Sequence, residues 1–268
     1  MEKLSVRRCL MGLFSLGLLV LSCTSMAQPV AQIQDLATRP GVTQRMLVAA
    51  PPEAKAVAVL FAGGHGGLQI SDGGSLRWGD GNFLVRTRTL LASHGIVTVL
   101  IDSPSDRQRP PFLEGFRTSS EHVADIAAVI SALRKQFGLP VWLIGTSRGT
   151  QSVAYAATQL PKPDAPDGIV LTATILKDPR SVAVPDMALD KLALPTLVVH
   201  HANDQCRVCL PADLPRLAAA LGGLSRFQLQ MISGGISVGN VCGGSAHHGF
   251  NGVEDQAVQA MASWILGR

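Results

Sequence analysis

The chain has 268 residues, of which 47% are hydrophobic and 16% are charged. This is enough to bury one sizeable core and excludes a compositionally disordered protein. The net charge is +4, but three basic residues and one acidic residue among the first eight positions account for half of it. The remaining charge of about +2 favours neither nucleic acid nor an acidic membrane surface as a partner.

The first 27 residues have the pattern of a secretory signal peptide. A basic start precedes an apolar run at 9–21 and the small-residue sequence Ser25-Met26-Ala27. The run has 13 residues, fewer than the roughly 20 that a membrane-spanning helix needs. We predict cleavage after Ala27 and a periplasmic or secreted protein. The alternative is a lipoprotein with a lipid anchor on Cys23.

Residues 28–41 show little periodicity and are interpreted as a mobile leader, and residues 42–268 as a single domain. Apolar stretches typical of strands occur at 42–50, 56–62, 95–101, 141–144, 168–174, 196–201 and 226–232. Helical patterns occur at 80–93, at 118–137, after Gly149, at 211–221 and from Asn251 onward. Thr118 with Glu121 predicts a capping box, and Asn251 predicts the cap of the last helix.

The alternation of apolar strands with helices predicts an α/β protein with a doubly wound, mostly parallel sheet and helices on both faces. The interval between the strands at 168–174 and 196–201 is only about twenty residues, which leaves little or no room for a lid. Ligands in such sheets bind beyond the carboxyl ends of the strands. We therefore expect the functional site at that edge.

A candidate nucleophile follows the strand at 141–144, in the sequence Gly145-Thr146-Ser147-Arg148-Gly149. A serine can stand on so sharp a strand-to-helix turn only where the residues two before and two after it have almost no side chain. Gly145 and Gly149 meet this need. The turn would expose Ser147 Oγ above a helix N-terminus, which favours negative charge. The alternative is a glycine-rich turn with an incidental serine.

A serine hydroxyl needs a base, and the base works best when a carboxylate orients it. Asp204 follows the strand at 196–201, and His247 and His248 precede the last helix. This order of Ser, Asp and His resembles the α/β-hydrolase superfamily over roughly residues 42–268. The catalytic histidine of that superfamily often directly precedes Gly-Phe. The resemblance therefore implies His248 as the base, His247 as the alternative base, and Asp204 as the acid.

The resemblance also implies an oxyanion hole made of two backbone N–H groups. One is the amide of Arg148, directly after the nucleophile. The other follows a His-Gly pair after an early strand of the superfamily. The similar segment here runs from Leu60 to His65, with Gly63 where the histidine usually stands. This places the second donor at the amide of His65.

With Cys9 and Cys23 discounted, three cysteines remain in an oxidising compartment: Cys206, Cys209 and Cys242. Because the catalytic acid and histidine must come together, the two cysteine-bearing loops should be neighbours. We predict a disulfide from Cys206 or Cys209 to Cys242. The alternatives are a Cys206-x-x-Cys209 redox pair and a zinc site that adds Cys242 and a histidine.

These features predict an exported serine hydrolase that cleaves a carboxylic ester of a small-molecule acyl substrate, without a cofactor or a metal ion. The alternatives are a peptidase or thioesterase with the same triad and a non-catalytic binding protein of the same fold. Four arginines are interpreted as solvated surface side chains rather than as a site for an anionic substrate: Arg107, Arg109, Arg117 and Arg148.

Overall fold

The computed structural model describes residues 30–268. The predicted signal peptide, its cleavage after Ala27 and the alternative lipid anchor on Cys23 lie outside these residues. The strands are β1 (Gln32–Arg39), β2 (Val42–Ala49), β3 (Ala56–Phe61), β4 (Ile96–Ile101), β5 (Val141–Thr146), β6 (Gly168–Thr172), β7 (Thr196–His201) and β8 (Phe227–Ile232). The helices are α1 (Phe83–Arg86), α2 (Arg88–Ser93), α3 (Ser120–Phe137), α4 (Gly149–Gln159), α5 (Leu214–Leu221) and α6 (Glu254–Leu266).

The strands form one sheet in the order β1-β2-β4-β3-β5-β6-β7-β8. The pairs β1–β2 and β2–β4 are antiparallel and the other neighbours are parallel. Alternate side chains of β3 face opposite ways. Val57 and Val59 pack with α3 and α4, whereas Ala58 and Leu60 pack with α2 and α6. The predicted doubly wound, mostly parallel sheet with helices on both faces is confirmed.

The amino-terminal segment joins the sheet. The predicted mobile leader at 28–41 is wrong, because Gln32–Arg39 form β1 and pair with β2. Two side chains of β1 also bind a buried carboxylate of α3: the Arg39 Nε–H donates to Asp125 Oδ1 at 2.8 Å, and the Thr38 hydroxyl donates to the same oxygen. β1 contains only exposed and half-buried positions, so no continuous apolar run marks it in the sequence.

The predicted caps of two helices are also wrong. α3 begins at Ser120, and the side chain of Ser119, not that of Thr118, accepts the capping bond from the His122 N–H at 3.2 Å. α6 begins at Glu254 without a side-chain cap. Asn251, the predicted cap, instead donates its amide to the carbonyl of Ser245 at 2.9 Å. Its side chain therefore stabilises the preceding loop rather than the helix.

The segment between β6 and β7 adds no large insertion at the carboxyl edge of the sheet. Between β6 and β7 the chain forms only two short 3₁₀ turns, Val184–Asp186 and Leu189–Lys191. This agrees with the prediction of little or no lid. Within residues 30–268, no helix is both long enough and apolar enough to cross a membrane.

Candidate active site

Ser147 lies on a sharp turn between β5 and α4. Its φ of 51° is in the left-handed region, where a non-glycine residue is strained and is held only by its surroundings. The Ser147 N–H donates to the carbonyl of Thr172 at 3.0 Å, and the carbonyl of Ser147 accepts the Thr150 N–H at 2.9 Å. These bonds hold the serine at the carboxyl end of β5, just before the first turn of α4.

Gly145 and Gly149 permit this turn because other backbone atoms occupy the space of a Cβ. A Cβ on Gly145 would lie 2.6 Å from the carbonyl carbon of Gly149, and a Cβ on Gly149 would lie 2.1 Å from the carbonyl oxygen of Phe61. A Cβ on Gly63 would lie 3.0 Å from Ser147 Cβ. The glycine-rich loop after β3 therefore lies directly beside the serine.

Asp204 and His248 form a buried hydrogen-bonded pair. His248 Nδ1 donates to Asp204 Oδ2 at 2.8 Å, and Asp204 Oδ1 accepts the Cys206 N–H at 2.8 Å. His200 supports the same loop, because its Nε2 donates to the carbonyl of Cys209 at 2.7 Å. A proton on Nδ1 of His248 leaves its Nε2 with a free lone pair.

His248 and Ser147 line the same pocket of about 270 Å³. His248 Nε2 is buried and has no hydrogen-bond partner among residues 30–268, so it makes no bond to Ser147 Oγ in this structure. Such bonds are often long without substrate and tighten in the reacting complex. Half of the lining residues are glycines: Gly63, Gly64, Gly79, Gly81, Gly243, Gly244 and Gly249.

His247, the alternative base, lies away from the carboxylate. Its Nδ1 donates to the carbonyl of Asn203 at 3.2 Å, and its ring stacks on that of His201 with centroids 4.4 Å apart. Within residues 30–268, it is His248 and not His247 that forms the short hydrogen bond to Asp204. The geometry therefore favours His248 over His247.

A disulfide joins Cys206 to Cys242, with Cα atoms 4.6 Å apart. The predicted bridge is thus present, with Cys206 rather than Cys209 as the partner. Cys209 is buried and forms no disulfide within residues 30–268, and burial and then the charge of Asp204 raise the pKa of its thiol. Donor atoms of Cys206, Cys209 and His248 lie within 4.8 Å of one another, but metal binding needs thiolates and the Cys206 sulfur is bonded to Cys242.

The imidazole of His65 packs inside the loop after β3. Its ring lies between Trp78 and Phe112, with centroid distances of 4.0 and 4.5 Å, and its Nδ1 accepts the Gly67 N–H at 3.1 Å. Burial and then the charge of Arg117 lower the pKa of His65, so its ring is neutral at neutral pH. The side chain thus helps to fix the loop that carries the backbone amide of the predicted oxyanion contact.

Asp102 anchors the far end of the same loop. Its buried carboxylate accepts the backbone N–H groups of Leu68, Gln69 and Ile70 at 2.8, 3.1 and 2.8 Å. The sequence does not predict this positioning role. Nothing local distinguishes Asp102 from a solvated aspartate, because its partners are on a distant segment.

Arginines near the site differ in their environments. Arg107 and Arg109 are exposed, as interpreted from the sequence, but Arg117 is only 4% exposed, so its interpretation as a surface residue is wrong. Arg148 is half-buried and its guanidinium pairs with the buried carboxylate of Asp178 at 2.7 Å. The interpretation of Arg148 as a solvated surface residue is therefore also wrong, because an ion pair holds its side chain. Its backbone N–H belongs to the residue directly after Ser147 in the chain.

A mostly parallel sheet with a serine elbow after β5, an acid after β7 and a histidine before the last helix is the arrangement of the α/β-hydrolase fold. Three separate segments supply Ser147, Asp204 and His248 to one edge of the sheet. The chain therefore has the α/β-hydrolase fold that the sequence resemblance implies.

Solved structures with the same fold come from several organisms. A dienelactone hydrolase from Anabaena variabilis is similar with a TM-score of 0.63 and 15% identity, over 90% of this chain and 98% of that one. Carboxyl esterase 2 from Tuber melanosporum gives a TM-score of 0.62 and 14% identity, over 91% and 89%. A serine hydrolase without a lid from Xanthomonas campestris gives 0.56 and 16%, over 86% and 94%. No protein-family profile and no curated protein matches the sequence.

Proposed function

We propose that the protein is an exported serine hydrolase that cleaves carboxylic esters with Ser147, His248 and Asp204 as its catalytic triad. One observation carries the proposal. The buried Asp204 carboxylate holds His248 through Nδ1. Among residues 30–268 the Nε2 of His248 has no hydrogen-bond partner, and His248 lines the same pocket as Ser147. A histidine in this state is prepared to take a proton from a hydroxyl.

In the proposed mechanism, Ser147 Oγ attacks the ester carbonyl carbon while His248 Nε2 takes the hydroxyl proton. The backbone amides of Arg148 and His65 bind the tetrahedral oxyanion. His248 then protonates the leaving alcohol, and an acyl-enzyme remains on Ser147. A water molecule, deprotonated by His248, releases the acid and restores the serine. Asp204 stabilises the imidazolium that forms in both halves of the reaction.

The size of the pocket supports an ester with a short acyl group as the substrate. Its volume is about 270 Å³, below the usual range of about 300 to 1,000 Å³ for sites that enclose drug-sized ligands. Glycines make up half of its wall, and the segment between β6 and β7 leaves it without a substantial lid. Open access and small volume favour small esters.

The test compares the wild-type protein with Ser147→Ala on p-nitrophenyl acetate and with a fluorophosphonate probe. The wild type should turn over the ester and be labelled, whereas the variant should lose at least about 10³-fold in kcat and remain unlabelled. Equal turnover by the two proteins, or an unlabelled wild type, would reject the triad. A panel of matched esters, thioesters and peptide anilides decides between an esterase and the alternative thioesterase or peptidase.

Export is part of the proposal and is supported by the Cys206–Cys242 disulfide, because such bonds persist in oxidising compartments. We expect the mature chain to begin at Gln28. The intact mass of the protein, expressed in a host that exports and lipidates proteins, distinguishes this form from one lipidated at Cys23. A protein that is found in the cytoplasm with residues 1–27 still attached would contradict export.

A further inference from the structure

Arg117 is a buried arginine behind the glycine-rich loop. Its Nη2 donates to the carbonyl oxygens of Ala62 and Gly64, both at 3.1 Å, and its Nη1 donates to Ser152 Oγ at 2.9 Å. The side chain is held in place from α4 as well as from the loop, because Ser152 belongs to α4. A Cβ on Gly66 would lie 2.6 Å from Arg117 Nη2, so the loop backbone also approaches it closely.

The guanidinium has no carboxylate partner among residues 30–268. Its three hydrogen bonds all go to uncharged oxygens, whereas the neighbouring Arg148 is paired with Asp178. Burial and then the charge of Arg148 lower the pKa of Arg117 to about 9, so the group stays protonated at neutral pH. An unpaired buried charge is costly, and a stability role alone would be served better by an uncharged side chain.

The hydrogen bond to Gly64 fixes the direction of the next amide. The Gly64–His65 peptide is planar and trans, so its N–H points opposite to its C=O. Because Arg117 binds the carbonyl, the His65 N–H must point away from the guanidinium. Gly64 itself lines the pocket with Ser147. The same geometry applies to the Ala62–Gly63 peptide, whose carbonyl binds the same Nη2.

We propose that Arg117 is a positioning residue of the oxyanion hole, which holds the Gly64–His65 peptide with its N–H toward the reacting oxygen and supplies a buried positive charge behind it. This inference rests on the proposed serine hydrolase function. Preorganised dipoles and charges aimed at a developing oxyanion lower the barrier without helping substrate to bind. Arg117 should therefore affect kcat more than KM.

The test uses Arg117→Met and Arg117→Lys, with Arg134→Met as the matched control. Arg134 also donates to two loop carbonyls, those of Pro163 and Ala165. It pairs with Asp167 as well, which binds the first residue of β5, at the opposite end of that strand from Ser147. Each protein is assayed for kcat and KM on p-nitrophenyl acetate and for inhibition by a trifluoromethyl ketone, which forms a tetrahedral oxyanion with an active-site serine. Thermal melts establish that each variant is folded.

Arg117→Met should lower kcat and the affinity for the trifluoromethyl ketone in parallel, each by about 10- to 100-fold, with KM nearly unchanged. Arg117→Lys keeps the charge but loses the planar fork, so it should fall between Arg117→Met and the wild type. Arg134→Met should lower the melting temperature without changing kcat or inhibition.

A folded Arg117→Met protein with wild-type kcat and inhibition would overturn the inference, as would a loss confined to KM. If Arg117→Met does not fold, Arg117→Lys decides the matter by the same criteria. An active, labelled wild type with an unaffected Arg117 variant rejects only this inference. An inactive, unlabelled wild type rejects the function on which it rests.

Discussion

The pair of Asp204 and His248 makes a sharp prediction at the scale of single residues. Asp204→Asn keeps the shape of the side chain, and its single oxygen can accept the Cys206 N–H. Its NH2 group then faces His248 Nδ1 and cannot accept the Nδ1–H. The imidazole should then take the wrong tautomer, with a proton on Nε2. We expect kcat on p-nitrophenyl acetate to fall by about 10³- to 10⁴-fold while the protein stays folded.

His247→Gln is the matched control for this prediction. Its Nδ1 binds a backbone carbonyl and its ring stacks on His201, so its loss should leave kcat close to the wild-type value. A severe loss of kcat in His247→Gln, together with a near-normal Asp204→Asn, would exchange the roles assigned to the two histidines.

The sequence predicts local residue patterns better than it predicts buried partners. The elbow around Ser147 depends on glycines within two positions, and these are visible in the chain. Arg117 and Asp102 act on carbonyl and amide groups of a distant loop. Their residue types indicate surface positions, and only the folded loop explains their burial.

At the scale of elements, the Cys206–Cys242 disulfide ties the loop after β7 to the loop before α6. The cysteines are 36 residues apart, and closing such a loop stabilises the folded state by roughly 3 to 4 kcal/mol in the chain-entropy model. Replacing both cysteines by alanine should lower the free energy of unfolding by about this amount. It should also lower kcat, because Asp204 lies two residues before Cys206 and His248 lies six residues after Cys242.

Urea denaturation with and without reductant measures this effect. Cys209→Ala is the control, because Cys209 is a free buried thiol whose replacement removes no cross-link. A double variant as stable as the wild type would show that the two loops are held together without the bridge. A wild-type protein with three free thiols in a non-reducing peptide map would contradict the bridge itself.

The elements that the sequence predicts correctly are those with a strong internal pattern. β3, β4 and β7 are uniformly buried and are marked by continuous apolar runs. β1 is half-exposed, and its place in the sheet depends on pairing with β2 and on Asp125 of α3. The predicted cap at Asn251 fails for a similar reason, because the side chain binds a loop that lies nearby only in the folded chain.

At the scale of the whole molecule, parallel strands bring distant residues to one edge. β3, β5 and β7 run in the same direction, so the segments that follow them carry Gly63, Ser147 and Asp204 to neighbouring positions. Helices cover both faces of the sheet, and the site lies at this edge. The alternation of strands and helices made this arrangement predictable, whereas the distances within the site depend on the loops.

The stability of the whole fold should depend on pH through His122. This histidine is 1% exposed and its Nε2 hydrogen-bonds with Ser152 Oγ at 3.0 Å. Burial, and then the charges of Arg117 and Arg39, lower its pKa from 6.5 to about 3. Between these values the unfolded chain binds a proton that the folded chain does not. The free energy of unfolding should therefore fall as the pH is lowered from about 6.5 toward 3.

His122→Phe isolates this contribution, because a phenyl ring does not titrate and fits between Phe61 and Phe116, which the imidazole contacts. Between pH 7 and pH 5, wild-type stability should fall by about 2 kcal/mol more than that of the variant, measured by urea denaturation. Burial also lowers the pKa values of His200 and His201, so the variant should keep part of the dependence. Equal losses in the two proteins would mean that His122 can be protonated without unfolding, and that the network joining it to Ser152 and Arg117 accommodates a second positive charge.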